Sequence, residues 1–360
     1  MERFRAFLRR KDVVFSLKRY GIDALGAMAQ GLFCTLLVGT ILNTLGQQLH
    51  IRLLTEPVAA GYTIGGLASA MVGPGIAAAI GYALHCPPLV LFSLIPVGFA
   101  ANAIAGAGGP LAVYLVTIMS AELGKLVSKE TKVDILVTPC VTILCGSLLA
   151  SVIAAPIGRA ASAVGLAIMW ATELQPFFMG VIVSVIIGMA LTLPISSAAI
   201  CAAFGLCGLA GGAAVAGCCA QMVGFAVMSF KENGWGGLVA QGVGTSMLQM
   251  PNIVKNPKVW IPPTLASAIT GPLATCIFHL EMNGAPVSSG MGTCGFVGQI
   301  GVYTGWSADV ASGSKAAVTA MDWTGLALIC FVLPALLSVL FCKTLRRLGW
   351  IREGDLKLDL

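Results

Sequence analysis

Charge is scarce in this sequence, and histidine is scarcer still. Of 360 residues, 21 are Lys or Arg, 15 are Asp or Glu and 3 are His. Charged residues make up 10% of the chain and hydrophobic ones 57%, whereas soluble domains carry about 25% charge. So little charge cannot cover a water-facing surface, which excludes a soluble globular protein. The 12 cysteines contain no C-x-x-C pair, and there is no H-E-x-x-H, so the common zinc patterns are missing. No Walker sequence is present, and no Ser-His-Asp arrangement supports a hydrolase. Gly290-x-Gly292-x-x-Gly295 matches a dinucleotide fingerprint in its letters, but it lacks a preceding strand and a βαβ setting. Its glycines suit a tight hairpin, because Gly takes φ > 0 and lets backbones approach. We therefore expect no cofactor and no metal. Most cysteines, such as Cys34, Cys140, Cys218 and Cys330, lie in apolar runs, where a free thiol behaves as a small apolar residue.

What remains is the composition of a polytopic, all-α membrane protein. At roughly 20 apolar residues per span, the length allows about eight to ten spans. Gly makes up 44 of the 360 residues, which suits close helix approach in a bilayer. The charges gather at the ends: Arg3, Arg5, Arg9, Arg10, Lys11, Lys18 and Arg19 in the first 19 residues, and Lys343, Arg346, Arg347, Arg352 and Lys357 in the last 18. The positive-inside rule puts both termini in the cytoplasm and makes the number of crossings even. The long basic start, and the lack of an A-x-A site at the end of a short apolar stretch, argue against a cleaved signal. The net charge of +6 is a topology and lipid-headgroup signal, and nucleic acid is not expected as a partner.

Five regions follow. Residues 1–19 read as a basic interfacial helix, with Phe4, Phe7, Leu8 and Val14 toward lipid and the cations toward anionic headgroups. Residues 20–156 read as N-terminal membrane helices, with a kink at Gly73-Pro74-Gly75 and a turn at Gly106–Pro110 that splits 88–124. Residues 157–175 read as an interfacial amphipathic helix carrying Arg159 and Glu173. Residues 176–342 read as a second membrane domain and 343–360 as a cytoplasmic tail. Within the second domain, residues 234–250 are too polar for a lipid-facing span and too apolar for a free loop, which suggests a re-entrant hairpin.

The most informative stretch is 278–299. It places His279, Glu281, Asn283 and Gln299 beside Gly284, Pro286, Gly290, Gly292 and Gly295, directly after an apolar run. Polar, helix-breaking backbone at membrane depth is tolerated only where protein or a water-filled cavity surrounds it, and an ionisable residue there is a functional-site hypothesis by default. Glu281 is the first candidate, because a carboxylate accepts the several hydroxyl bonds that a sugar or polyol offers. His279 can donate to the same ligand or pair with Glu281. Asn283, Gln299, Gln241, Gln249 and Asn252 are neutral groups suited to an uncharged ligand, and equally to bonding between helices. Ser196 and Asn102 complete the set, with helix-backbone bonding as their competing role.

The order of motifs also resembles a known family. Ala171–Gly180 (ATELQPFFMG), Leu191–Ala199 (LTLPISSAA), Gln241–Asn252 (QGVGTSMLQMPN), Trp260–Leu265 (WIPPTL), the 279–299 segment and Gly349–Leu358 (GWIREGDLKL) together resemble the membrane subunit IIC of bacterial phosphotransferase systems. The branch is the type 2 EIIC group that includes PfoR-like toxin regulators. The resemblance implies a glucose-superfamily EIIC-like fold of about ten transmembrane helices with two re-entrant hairpins, forming homodimers in the bacterial plasma (inner) membrane. It implies a transport domain moving against a dimerisation scaffold, with Glu281 at the place of the family's sugar-binding Glu. The family's His lies in the earlier hairpin, whereas His279 is two residues from Glu281. The implied function is transport of a small polar solute, a sugar, by alternating access. No catalytic domain is expected in these residues, so separate IIA and IIB subunits would supply phosphoryl chemistry. The alternative is a ligand-sensing membrane regulator without phosphorylation-coupled transport.

Overall fold

The computed structural model describes residues 2–358, and of residues 2–5 and Gln48 only the backbone. Met1, Asp359 and Leu360, which end the first and last expected regions, lie outside the described residues, as do the side chains of Arg3, Phe4 and Arg5. Among the described residues there is no β-strand, only the isolated bridges Ala59↔Tyr62 and Gly208↔Met282. The chain divides into two compact units, Met1–Ala160 and Ala161–Leu360.

The first unit opens with α1 (Glu2–Arg10). Phe7 does not face outward alone: Arg10 and Lys11 lie over its ring, 5.3 and 5.7 Å from the centroid. Helices α2 (Ala24–Leu32) and α3 (Val38–Gln48) are joined without a break by a π-type turn at Phe33–Leu37. The threonines of this run fit an apolar helix because each hydroxyl donates to a carbonyl one turn back: Thr35 to Gly31, Thr40 to Leu36 and Thr44 to Thr40. After α4 (Arg52–Thr55) come α5 (Ile64–Ala70) and α6 (Val72–Ala83), bent by 56°. The break falls at Met71, upstream of the expected Gly73-Pro74-Gly75. Pro74 sits in the first turn of α6, where its missing N–H costs nothing, and its ring obstructs the turn before it. Next, α7 (Pro88–Ala105) and α8 (Gly109–Val127) are joined through Gly106, with φ +54, and fold back on each other. Helices α2, α6, α7 and α8 form the unit's bundle. A Cβ on Gly98 would lie 2.5 Å from the Gly73 carbonyl, so α6 and α7 meet backbone to backbone.

Helix α9 (Asp134–Thr172) runs 39 residues without a break. The expected division into a span and a separate interfacial helix after residue 156 is not seen, although Pro156 lies inside. At 1.5 Å per residue the helix is about 58 Å long, well beyond a hydrocarbon core of about 30 Å.

The second unit is built around α12 (Gly208–Met228), preceded by α10 (Pro176–Thr192) and α11 (Ser197–Ala203). Apolar apart from Gln221, α12 is buried along nearly its whole length, as expected of a helix surrounded by protein. It is followed by α13 (Phe230–Val239), α14 (Met250–Lys255), α15 (Ile261–Pro272), α16 (Val297–Ser312), α17 (Ala320–Ala327) and α18 (Leu333–Arg347). Helices α10, α15 and α18 pack around α12. A Cβ on Gly217 would lie 1.9 Å from the Ser184 carbonyl, so α10 and α12 also touch through backbone.

Five stretches among the described residues are long and apolar enough to cross a membrane: Arg19–Gln47, Pro88–Val127, Asp134–Thr172, Gly208–Met228 and Ala320–Arg347. The bent α5–α6 pair makes a sixth if it counts as one span, and α10 is shorter. The protein is therefore an all-α membrane protein.

Candidate functional site

After α15 the helix loosens through a π-type turn at Leu273–Ile277 and stops at Phe278. His279, with φ +43, turns the chain out of helical geometry. Residues 280–283 then run extended, and their side chains alternate as an extended chain requires. Leu280 and Met282 are buried in an apolar cluster with Val215, Cys219, Val302 and Trp306, whereas His279, Glu281 and Asn283 are exposed. Two backbone bonds hold this segment to the start of α12: Gly208 N–H donates to the Met282 carbonyl and Met282 N–H to the Gly208 carbonyl, both at 3.0 Å. Gly212 makes the approach possible, since a Cβ there would lie 1.6 Å from the Leu280 carbonyl oxygen.

On the exposed edge, the Asn283 amide joins two carboxylates. Its Nδ2 donates to Glu281 Oε2 at 3.1 Å and to Asp309 Oδ2 on α16 at 2.8 Å, while its Oδ1 accepts from Gly208 N–H at 3.2 Å. Each carboxylate offers about four acceptor positions, so both retain capacity for hydroxyl donors. Ser197 Oγ, 2.7 Å from the Gly290 carbonyl, and Ser289 Oγ, 2.6 Å from the Leu206 carbonyl, tie the turn at 286–290 to the segment around α11.

The structure brings His279, Glu281 and Asn283 to one edge and places the other expected residues elsewhere. Gln299 is buried at the start of α16 and donates to Cys219 Sγ at 3.1 Å, and its Oε1 has no hydrogen-bond partner among the described residues. Gln241, Gln249 and Asn252 form a buried ladder, and all their amide protons go to the chain itself. Gln241 donates to Ser229 Oγ and the Gly237 carbonyl, both at 2.9 Å. Gln249 donates to Gln241 Oε1 at 2.8 Å and the Leu356 carbonyl at 3.0 Å. Asn252 donates to Gln249 Oε1 and the Lys357 carbonyl, both at 2.8 Å. The C-terminal segment is thus docked, with Ile351 and Leu356 buried. Ser196 caps α11 by accepting from Ala199 N–H at 3.2 Å. Asn102 belongs to the first unit, where its Oδ1 would lie 2.2 Å from a Cβ on Gly109, at the fold between α7 and α8.

Sequence reasoning missed Asp309 and a second buried network centred on Gln221. Trp260 Nε1 donates to Gln221 Oε1 at 2.9 Å, Gln221 Nε2 donates to Thr264 Oγ1 at 3.3 Å, and Thr192 lies between Gln221 and Ser246. A signal existed for both. Asp309 is the one charged residue of α16, and Gln221 the one amide of α12.

Residues 22–358 match the family model described as phosphotransferase system, EIIC. The chain belongs to this family. Comparison with curated proteins and with solved structures gave no match. This EIIC protein is therefore a transporter-type membrane component of a phosphotransferase system, and the 278–312 edge, the docked C-terminal segment and the Gln221 network all lie within the matched residues.

Proposed function

We propose that this EIIC protein carries a small polar solute, a sugar, across the bacterial plasma membrane by alternating access. Glu281, Asn283 and Asp309 hold the solute's hydroxyls, and His279 borders the site. One observation carries the reading: the Asn283 amide, on an exposed non-helical edge, bridges the Glu281 carboxylate of that edge and the Asp309 carboxylate of α16. Neutral and anionic acceptors on one edge suit a polyhydroxylated, uncharged ligand. In this reading the second membrane domain is the moving part and the first the scaffold, as in carriers that rock one bundle against another. Gln241, Gln249 and Asn252 support the site without touching the solute. Both termini are cytoplasmic, two copies form the working unit, and separate IIA and IIB subunits supply the phosphoryl group.

The test has two stages. A thermal-shift screen of purified protein against sugars, polyols and small acids should find a sugar that raises the apparent stability by mass action, with the shift lost in Glu281→Gln. Reconstituted protein should then carry that sugar into proteoliposomes. Binding without flux would favour the ligand-sensing alternative, and stabilisation by small acids alone would discard the sugar.

A further inference from the structure

A second site lies wholly within the first unit, independent of the solute edge. A cavity of about 340 Å³ opens where three connections meet: the turn after α1, the α6–α7 connection and the α8–α9 connection. Arg10, Lys11, Lys125 and Lys129 line it, together with His85 and the carboxylates of Asp12 and Glu130. Its volume is at the lower end of the range for small-molecule sites, roughly 300–1,000 Å³.

The charge is unbalanced. Four cations against two carboxylates leave an excess of two positive charges. Behind the wall, Arg19, which pairs with Asp12, and Glu122, 3.2 Å from Lys125, offset each other, and Asp134, which interacts with Lys11 and Lys129, lowers the excess to one positive charge. Both lining carboxylates are already engaged. Asp12 accepts two bonds from Arg19, and Glu130 is shared by Arg10 at 2.6 Å and Lys11 at 2.5 Å. Lys125 is 1% exposed, and its ammonium is held 3.3 Å from the Asp12 carbonyl. Lys129 pairs with no carboxylate among the described residues. Its backbone N–H donates to Asp134 at 2.7 Å, which fixes the loop that presents it. Asp12, His85 and Lys129 all adopt positive φ, of 54°, 55° and 61°. Three connections are thus held in the left-handed region, which non-Gly residues seldom occupy, around one basic hollow.

We propose that this cavity binds a phosphate-bearing anion, either the headgroup of an acidic phospholipid or a soluble phosphomonoester. Several converging ammonium and guanidinium groups match a multiply charged oxyanion, and basic pockets beside transmembrane helices take lipid headgroups. Glu130 occupies Arg10 and Lys11 as an internal competitor, so an arriving phosphate exchanges with its carboxylate.

The test uses the full chain in a neutral detergent and in nanodiscs. Inorganic phosphate and glycerol 3-phosphate are the soluble probes, titrated at constant ionic strength with chloride as the control. For the lipid arm, phosphatidylglycerol retention is compared with phosphatidylcholine by native mass spectrometry. Wild-type protein should bind one of the two sources saturably. Lys129→Gln should weaken that binding about fivefold or more, the loss of roughly 1 kcal/mol of charge interaction. Glu130→Gln should tighten it, an outcome that a merely structural role for Glu130 does not produce. Unliganded melting temperature checks that both variants fold. Binding of the soluble probes alone assigns the site to a free phosphate compound, and selective phosphatidylglycerol retention assigns it to a headgroup. Absence of both, equal affinity in Lys129→Gln, or weaker binding in Glu130→Gln would overturn the proposal.

Discussion

The side-chain amide of Gln249 donates to the main-chain carbonyl of Leu356 at 3.0 Å, across 107 residues of sequence. The bond belongs to a clasp that holds the C-terminal segment from several sides. Asn233 exchanges two bonds with it, one to the Leu356 carbonyl and one from Leu358 N–H, both at 2.8 Å. Asn256 donates to the Trp350 carbonyl at 3.0 Å and to Asp355 at 2.8 Å, and Glu232 accepts from Arg346 at 2.8 Å.

Replacing Gln249 with Leu should therefore destabilise the second unit. The change strands Gln241 Oε1 and one proton of Asn252 in buried surroundings and leaves the Leu356 carbonyl with Asn233 as its remaining side-chain donor. Each unsatisfied group costs about 1–3 kcal/mol, partly relieved by relaxation. Thermal unfolding in detergent should show a fall of several degrees, and removal of residues 349–360 a fall at least as large. Arg352→Ala, at an exposed position of the same segment, should leave the midpoint unchanged.

Glu281→Gln and Asp309→Asn should each abolish the ligand-induced thermal shift while leaving unliganded stability nearly unaltered, because both side chains lie at the surface edge. The double variant should be no worse than either single one, since both carboxylates act through the Asn283 amide and coupled residues are not additive. Isothermal titration with the sugar found by screening checks this. Retention of full affinity in Asp309→Asn would remove Asp309 from the site.

Gly212→Ala should damage the site without touching a polar group. A methyl there would lie 1.6 Å from the Leu280 carbonyl, which displaces the extended segment or α12. Overpacking of this kind costs about 1–3 kcal/mol, and more where backbone must move. Gly236→Ala, where a Cβ meets nothing within 4 Å, is the matched control. Melting temperature and size-exclusion profile distinguish the two.

The N-terminal turn should depend on pH. Hydrogen bonding from Arg19 holds the Asp12 carboxyl below its ordinary value, partly opposed by burial. A carboxyl depressed on folding contributes stability that is present above its unfolded pKa, about 3.9, and is lost as pH falls through the folded value. The gap in melting temperature between wild type and Asp12→Asn should therefore be constant at neutral pH and close below about pH 4. A gap that widens on acidification would contradict this assignment.

The membrane class, the apolar helices and the presence of a special segment after α15 were all legible in composition and spacing. Low charge forbids a water-facing surface, and clustered Gly and Pro forbid a continuous helix, wherever the chain folds. The turn at Gly106 was readable for the same local reason. The uninterrupted course of α9 was not, because Arg159 and Pro156 suggest a boundary that the helix carries through. The roles of the amides were also hidden. Gln241, Gln249 and Asn252 look like ligand donors in sequence, but their protons go to one another, to Ser229 and Gly237, and to Leu356 and Lys357, more than 100 residues beyond Gln249 and Asn252.

By itself, the sequence determined that this chain is an all-α membrane protein of the EIIC family and that residues 279–283 leave helical geometry. The membrane class and the helix break follow from transfer free energies and backbone preferences that act residue by residue, and the family from the order of its motifs. Only the tertiary structure decided which polar groups remain available. It set Asp309 beside Asn283, docked the C-terminal segment on the amide ladder and gathered three connections around a basic hollow. A hydrogen bond or an ion pair is satisfied by whichever partner lies within about 3 Å, and that proximity depends on how distant helices pack.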